Sequence, residues 1–226
     1  CVIRPAYRGL NMSYENTIYP LQDKVLAAFE KAGTPFYLTG GTALSRFYFN
    51  HRYSDDLDFF INDDPKFHEY LKSLFEAAKR DGIEFEIRMN DERFARIIAG
   101  GVLKVEFVND IPFYLGNPEK IKNAPYSKID NLMNILSNKI TAFRDRDEVK
   151  DIIDIREIAN SIKPEWKVIF EAAESKAAGV FPPVIAEKMD KFDLDLLDTA
   201  NWIKKPARQA FAADIQRIIG EMLKIK

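Results

Sequence analysis

The chain has 226 residues, 46% apolar and 30% charged, and a formal net charge of −2, so it can bury a sizeable core as one large domain or two small ones. That charge excludes a strongly basic nucleic-acid-binding protein, and any polynucleotide partner has to be gripped by a local basic patch. No apolar run approaches the ~20 residues that span a bilayer, and the single cysteine, Cys1, admits no intrachain disulfide, which predicts a reducing, cytoplasmic setting without a membrane.

Residues 1 to 12 lack the charged-then-apolar layout of a signal peptide. They start without methionine, Met12 is an alternative start, and the expected fold leaves them out. Ile18, Leu21, Val25, Leu26 and Phe29 recur at helical spacing, with Gly33 as a stop and Pro35 beyond it. A short strand, Phe36 to Leu38, then runs into Thr39-Gly40-Gly41-Thr42 and a helix that turns Leu44, Phe47 and Tyr48 inward. Asp56-Leu57-Asp58-Phe59-Phe60-Ile61 alternates as a strand does. Asp56 and Asp58 therefore share one face, and Leu57, Phe59 and Ile61 the other.

Pro65 opens a helix through about Arg80, with Phe67, Tyr70, Leu71, Leu74 and Phe75 as its buried stripe. Three strands follow, Ile83–Arg88, Phe94–Ala99 and Val102–Val108, the last two joined by the hairpin glycines Gly100-Gly101. On the third, Leu103, Val105 and Phe107 form one face and Lys104 and Glu106 the other. Pro112, Gly116, Pro118 and Pro125 predict a connecting loop over 109–127. From Lys128 onward the pattern is helical, over 128–143, 148–161, 164–177, 182–190 and 206–225. The expected fold is α+β, a mixed sheet with helices over residues 13–126 followed by a helical bundle over 127–226.

Two carboxylates side by side repel each other unless a cation lies between them. Hard oxygens of this kind suit Mg²⁺, which binds through one or two carboxylates plus substrate phosphates. A double glycine at the start of a helix lets a phosphate approach backbone N–H groups. In this order, roughly fifteen residues apart, the two features form a phosphate cradle feeding a metal-binding strand.

Gly40-Gly41-Thr42-Ala43-Leu44, followed by Arg52-Tyr53-Ser54-Asp55-Asp56-Leu57-Asp58-Phe59, resembles the signature of the AbiEii/AbiGii toxin group within the DNA polymerase β-like nucleotidyltransferases. A later segment resembles the group's second motif, with Lys139, Arg146 and Lys150-Asp151-Ile152-Ile153-Asp154. The resemblance covers roughly residues 35 to 160 and implies a nucleotidyltransferase-like fold. It also implies Mg²⁺- or Mn²⁺-dependent transfer of a nucleoside monophosphate from a nucleoside triphosphate to an acceptor hydroxyl. Gly40, Gly41 and Thr42 would cradle the β- and γ-phosphates, with Arg52 and Ser54 beside them. Asp56 and Asp58 would hold the metal, with Glu106 as the third carboxylate, where many relatives have Asp. Lys139 would neutralise triphosphate charge, and Asp151 matches an essential acid.

The resemblance further implies the toxin of a toxin–antitoxin or phage-defence system, with a cognate antitoxin. In characterised members the acceptor is RNA, tRNA 3′ ends among them. Read alone, Arg144 with Glu148 and Lys150 with Asp154 fit i,i+4 surface ion pairs. Asp154 reads as structural, an internal partner for Arg146; neither His51 nor His68 has a Cys or His at ligand spacing, His51 reads as a surface residue ahead of one lining the site entrance, and Trp166 and Trp202 read as core. Lys120, Lys122, Lys128, Arg144 and Arg146 could form a basic rim or be ordinary solvated charge. Two other readings stay open: a transferase of the same fold acting on a protein or small molecule, and a non-catalytic nucleotide- or partner-binding module.

Overall fold

The computed structural model describes residues 14–122 and 124–225. The expectations for residues 1 to 12, Cys1 and Met12 included, lie outside the described residues. A π-helical turn, Tyr14–Ile18, leads into α1 (Tyr19–Ala32), which stops at Gly33 in the left-handed region (φ 65°). After β1 (Tyr37–Thr39) the chain enters α2 (Gly40–Ala43), which continues as a π-helical stretch, Leu44–Phe49, ended by Asn50 at φ 48°. Then come β2 (Leu57–Asn62), α3 (Phe67–Arg80), β3 (Phe85–Asn90), β4 (Phe94–Ala99), β5 (Leu103–Asp110), β6 (Glu119–Lys120) and β7 (Lys128–Ile129). The rest is helical: α4 (Leu132–Asp145), α5 (Val149–Ile162), α6 (Trp166–Lys176), α7 (Pro182–Asp190), a 3₁₀ segment, Leu194–Thr199, and α8 (Arg208–Met222).

One seven-stranded sheet has the order β3-β4-β5-β2-β1-β7-β6. β2 pairs parallel with β5 and β1 parallel with β7, and the remaining pairs are antiparallel. The fold is the expected α+β arrangement of a mixed sheet with helices followed by helices. Strict alternation sorts the central strands: Leu57, Phe59, Leu103, Val105 and Phe107 are fully buried. That apolar face is covered by α1 and α3, with the Phe29 ring 5.4 Å from Phe59 and the Phe75 ring 6.0 Å from Phe107. The opposite face carries Thr39, Asp58, Lys104 and Glu106. The buried apolar side chains of the sheet and of α4 to α8 form one continuous cluster.

Two elements differ from expectation. The helix anticipated from Lys128 starts only at Leu132, capped by the Asn131 side chain. The residues before it, with Glu119–Lys120 in the expected loop, form two-residue strands. Strands this short carry no periodicity; the backbone of β1, nearly a hundred residues earlier, recruits β7 into the sheet. Among the described residues no helix is long and apolar enough to cross a membrane.

Candidate active site

β1 delivers the chain into a bend at Gly40, whose φ of +71° is open to glycine and strained for other residues. A Cβ on Gly40 would lie 2.6 Å from Asp58 Oδ2, so the missing side chain is what lets that carboxylate rest against the bend. A Cβ on Gly41 would lie 2.6 Å from Arg52 Nη2 and 3.0 Å from Ser54 Oγ. The glycines and the Arg-x-Ser-x-Asp-x-Asp segment thus meet in space as the sequence order anticipated. Both glycines keep part of their surface open. The first N–H groups of the helix they begin lack partners within it, which favours an anion there. Thr42 is fully buried, and its hydroxyl donates to the Asp56 carbonyl. Its side chain therefore braces the bend, leaving only its backbone for a phosphate.

The acids form a row across the sheet. Thr39 registers with Asp58 across β1 and β2, and Asp58 registers with Glu106 across β2 and β5. Registered neighbours share a face. Burial, then the charges of Asp56 and Glu106, push the Asp58 carboxyl up to about 6. Burial raises Asp56 as well, against the pull of Lys104. Two cations that the motifs did not single out stand among these acids. Lys104 Nζ lies 2.9 Å from Asp56 Oδ2 and 3.4 Å from Glu106 Oε2. Arg96 reaches Glu106 Oε1 at 2.6 Å through Nη2 and 2.7 Å through Nε.

A divalent ion fits the Asp56–Asp58 pair: the donors are hard carboxylate oxygens, and the Lys104 ammonium already stands in for a cation beside them. Glu106, expected as the third ligand, is turned to Arg96 and Lys104. Accordingly, among the described residues no group of three His, Cys, Asp or Glu side chains is arranged to hold a metal.

The second motif folds into a buried ionic network. Lys139, only 7% exposed, places Nζ 3.0 Å from Asp151 Oδ1 and 2.7 Å from Asp154 Oδ2. Arg146 holds the other side of Asp151, with Nε 2.6 Å from Oδ2. Asp154 accepts from Arg52 Nε at 2.8 Å and Nη2 at 2.7 Å, and lies 2.9 Å from His51 Nε2. Burial alone would raise the Asp154 pKa; Arg52 and then Lys139 overcome it and hold this carboxyl well below the usual range. Burial likewise opposes the Lys139 charge, and Asp154 with Asp151 more than restores it. The network faces the first motif closely enough that Lys139 lowers the Asp58 pKa and Asp58 raises that of Arg146.

Several expectations are corrected here. The partner of Asp154 is Arg52, with Lys139 and His51, and Arg146 serves Asp151 instead. Arg52, expected beside the phosphate cradle, is buried, and its fork is committed to the Asp154 carboxylate. His51 is 2% exposed rather than a surface residue, and His68 is exposed. In place of the i,i+4 pairs, Arg144 meets Asp145 at 2.6 Å and Lys150 meets Glu148 at 2.9 Å. Of the anticipated basic rim, Lys128 donates to the Thr34 carbonyl, Arg144 to the Ala178 carbonyl and Arg146 to Asp151, while Lys120 stays exposed.

A further buried acid, Asp130, follows β7 and was not foreseen. It accepts from Thr39 Oγ1 at 2.5 Å, from Tyr114 at 2.7 Å and from Asn134, and burial pushes it up to about 6. The hydroxyl of Thr39, one residue before the bend, is thereby anchored from behind.

The family described as "Nucleotidyl transferase AbiEii toxin, Type IV TA system" matches residues 24–223 of the chain. No curated protein matches. Among solved structures, similarity extends to a Helicobacter pylori protein provisionally described as a nucleotidyltransferase, at 19% identity over 94% of this chain and 96% of that one, with a TM-score of 0.67. JHP933, also from Helicobacter pylori, aligns at 18% identity over 92% and 90% of the two chains, with a TM-score of 0.65. The nucleotidyltransferase toxin MenT4 from Mycobacterium tuberculosis aligns at 17% identity over 91% and 82%, with a TM-score of 0.62. At these identities the structures speak for a shared nucleotidyltransferase fold.

Proposed function

Because the chain belongs to the AbiEii family of nucleotidyl transferase toxins of type IV toxin–antitoxin systems, we propose that it transfers a nucleoside monophosphate from a nucleoside triphosphate to an acceptor hydroxyl on RNA, such as a tRNA 3′ end, with Mg²⁺ or Mn²⁺. The supporting observation is the contact of the Asp58 carboxylate with the Gly40 bend, which a single methyl on Gly40 would close. It brings a carboxylate suited to a hard cation next to the first backbone N–H groups of a helix, which suit phosphate. The Gly40-Gly41 bend would seat the β- and γ-phosphates, and Asp56 and Asp58 would hold the ion. The bound ion supplies charge neutralisation for an in-line displacement at the α-phosphate, with pyrophosphate leaving.

The chain's other residues prepare that geometry. Arg52, with its backbone carbonyl tied to Ser45 at 2.5 Å, fixes the segment leading into the acids. Lys139 and Arg146 offer positive charge toward the acid row, and Asp151 orients both. A cognate antitoxin and a reducing, cytoplasmic setting complete the proposal.

The test is to incubate the protein with each labelled NTP, Mg²⁺ and total cellular RNA or protein. Label in RNA that disappears with EDTA is expected. Label in protein would redirect the acceptor, and nucleotide binding without any metal-dependent transfer would overturn the enzymatic reading.

A further inference from the structure

Nothing in the proposed chemistry requires Lys104. It stands on β5 two residues before Glu106, on the same sheet face, and β5 runs parallel to the acid strand. Its ammonium bridges Asp56 and Glu106 at 2.9 and 3.4 Å. Glu106 has a second cation in Arg96, whereas the ion pairs of Asp56 run to Lys104 alone among the described residues. Lys104 is therefore the charge that neutralises Asp56 when no divalent ion is there.

Both side chains remain about one-third exposed, at 35% and 31%, so the pair is not locked by packing. A lysine ammonium on a four-carbon stem can move where a buried guanidinium fork such as Arg52 cannot. An ammonium and a divalent ion compete for the same Asp56 oxygen, and they repel each other when both are close.

We propose that Lys104 is a resident counter-cation that suppresses binding of a free divalent ion and yields Asp56 only when the ion arrives with the triphosphate. This deepens the proposed function and rests on it: a metal-free site stays neutralised and ordered, and loading is coupled to nucleotide. The triphosphate supplies the extra oxygens and negative charge that tip the exchange toward the ion. Lys104 is a positioning residue here. It gives up its contact before the reaction, and Glu106, 3.4 Å away, keeps the released ammonium near the site.

The test uses the whole chain and Mn²⁺ without nucleotide, following free Mn²⁺ by electron paramagnetic resonance. Lys104→Gln should bind Mn²⁺ about five-fold more tightly than the parent, the scale of losing one partly exposed ion pair. Lys104→Arg, which keeps the charge, should stay at the parent's affinity. Adding a non-hydrolysable NTP analogue should tighten the parent more than Lys104→Gln.

A second measurement needs no variant: acetylation of Lys104 by an amine-reactive ester, read by mass spectrometry, should accelerate when Mn²⁺ and the non-hydrolysable NTP analogue are added together, and much less with Mn²⁺ alone. Equal or weaker Mn²⁺ binding by Lys104→Gln, or a Lys104 reactivity that Mn²⁺ with the analogue leaves unchanged or slows, overturns the role of Lys104 and leaves the transferase reading standing. Absence of Mn²⁺ binding in both proteins, with and without nucleotide, overturns both.

Discussion

Asp58 is held in a state that the folded protein would relieve if it could. Its pKa of about 6, against the ordinary 3.8, means that folding takes up a proton between those values. Without divalent ions the parent should therefore lose stability as pH rises from about 4 to about 6, and the loss should be complete above that. Asp58→Asn removes the linkage. At pH 7 the variant should fold and be more stable than the parent by up to about 2 kcal/mol, a gap that closes toward pH 4. Urea unfolding at several pH values in EDTA measures it. Transfer activity in the same variant should fall by at least about 100-fold through loss of a metal ligand. A variant with full activity, or one destabilised at pH 7, would remove Asp58 from the centre of the site.

At this scale the sequence was most legible where alternation decides the answer. Period-2 alternation placed Asp56 with Asp58, and Lys104 with Glu106, on polar faces, and the strands present those faces together. Alternation says which face a side chain takes but not which strand lies alongside, so the contact of Lys104 with Asp56 could not be read from it.

The same limit, one level up, explains the second motif. In α5 the i,i+4 rule offered Lys150 as a partner for Asp154. Yet Asp151, Asp154, Ile155 and Ile158 recur at intervals of three and four, one stripe of the helix, and all four are fully buried. Acids sharing a stripe with isoleucines were the available sign of burial, and a buried carboxylate needs partners of opposite charge. Those partners arrive from elements that no local pattern points to, with Arg52 102 residues away.

Removing such a partner leaves buried charge uncompensated. Asp154→Ala would leave the buried Arg52 without its carboxylate and Lys139 with Asp151 alone, and the expected cost is about 3–5 kcal/mol in chemical denaturation. Arg52→Met combined with Asp154→Leu should recover much of that loss, because both charges go together. A cost below about 1 kcal/mol for Asp154→Ala would mean that water reaches this network.

For the molecule as a whole, the division expected near residue 126 marks a change of composition from sheet to helices. The ties across it are those of a single body. β7, beyond that point, pairs with β1 in the sheet, and the Ser127 hydroxyl donates to Glu30 Oε1 at 2.7 Å. Asp130 holds Thr39, Asp154 holds Arg52, and the apolar cluster runs unbroken from Leu26 in α1 to Met222 in α8. Separating the halves would expose that cluster to water and break the Arg52–Asp154 pair, leaving Asp154 with Lys139. The chain should therefore unfold in one cooperative transition, with calorimetric and van't Hoff enthalpies equal. Residues 127–226 expressed alone should lack a cooperative transition. Two resolved transitions in the whole chain, or a stably folded fragment, would show that the Asp56–Asp58 acids and the Lys139 network belong to units able to move independently. The site would then be assembled by their closure rather than built into one body.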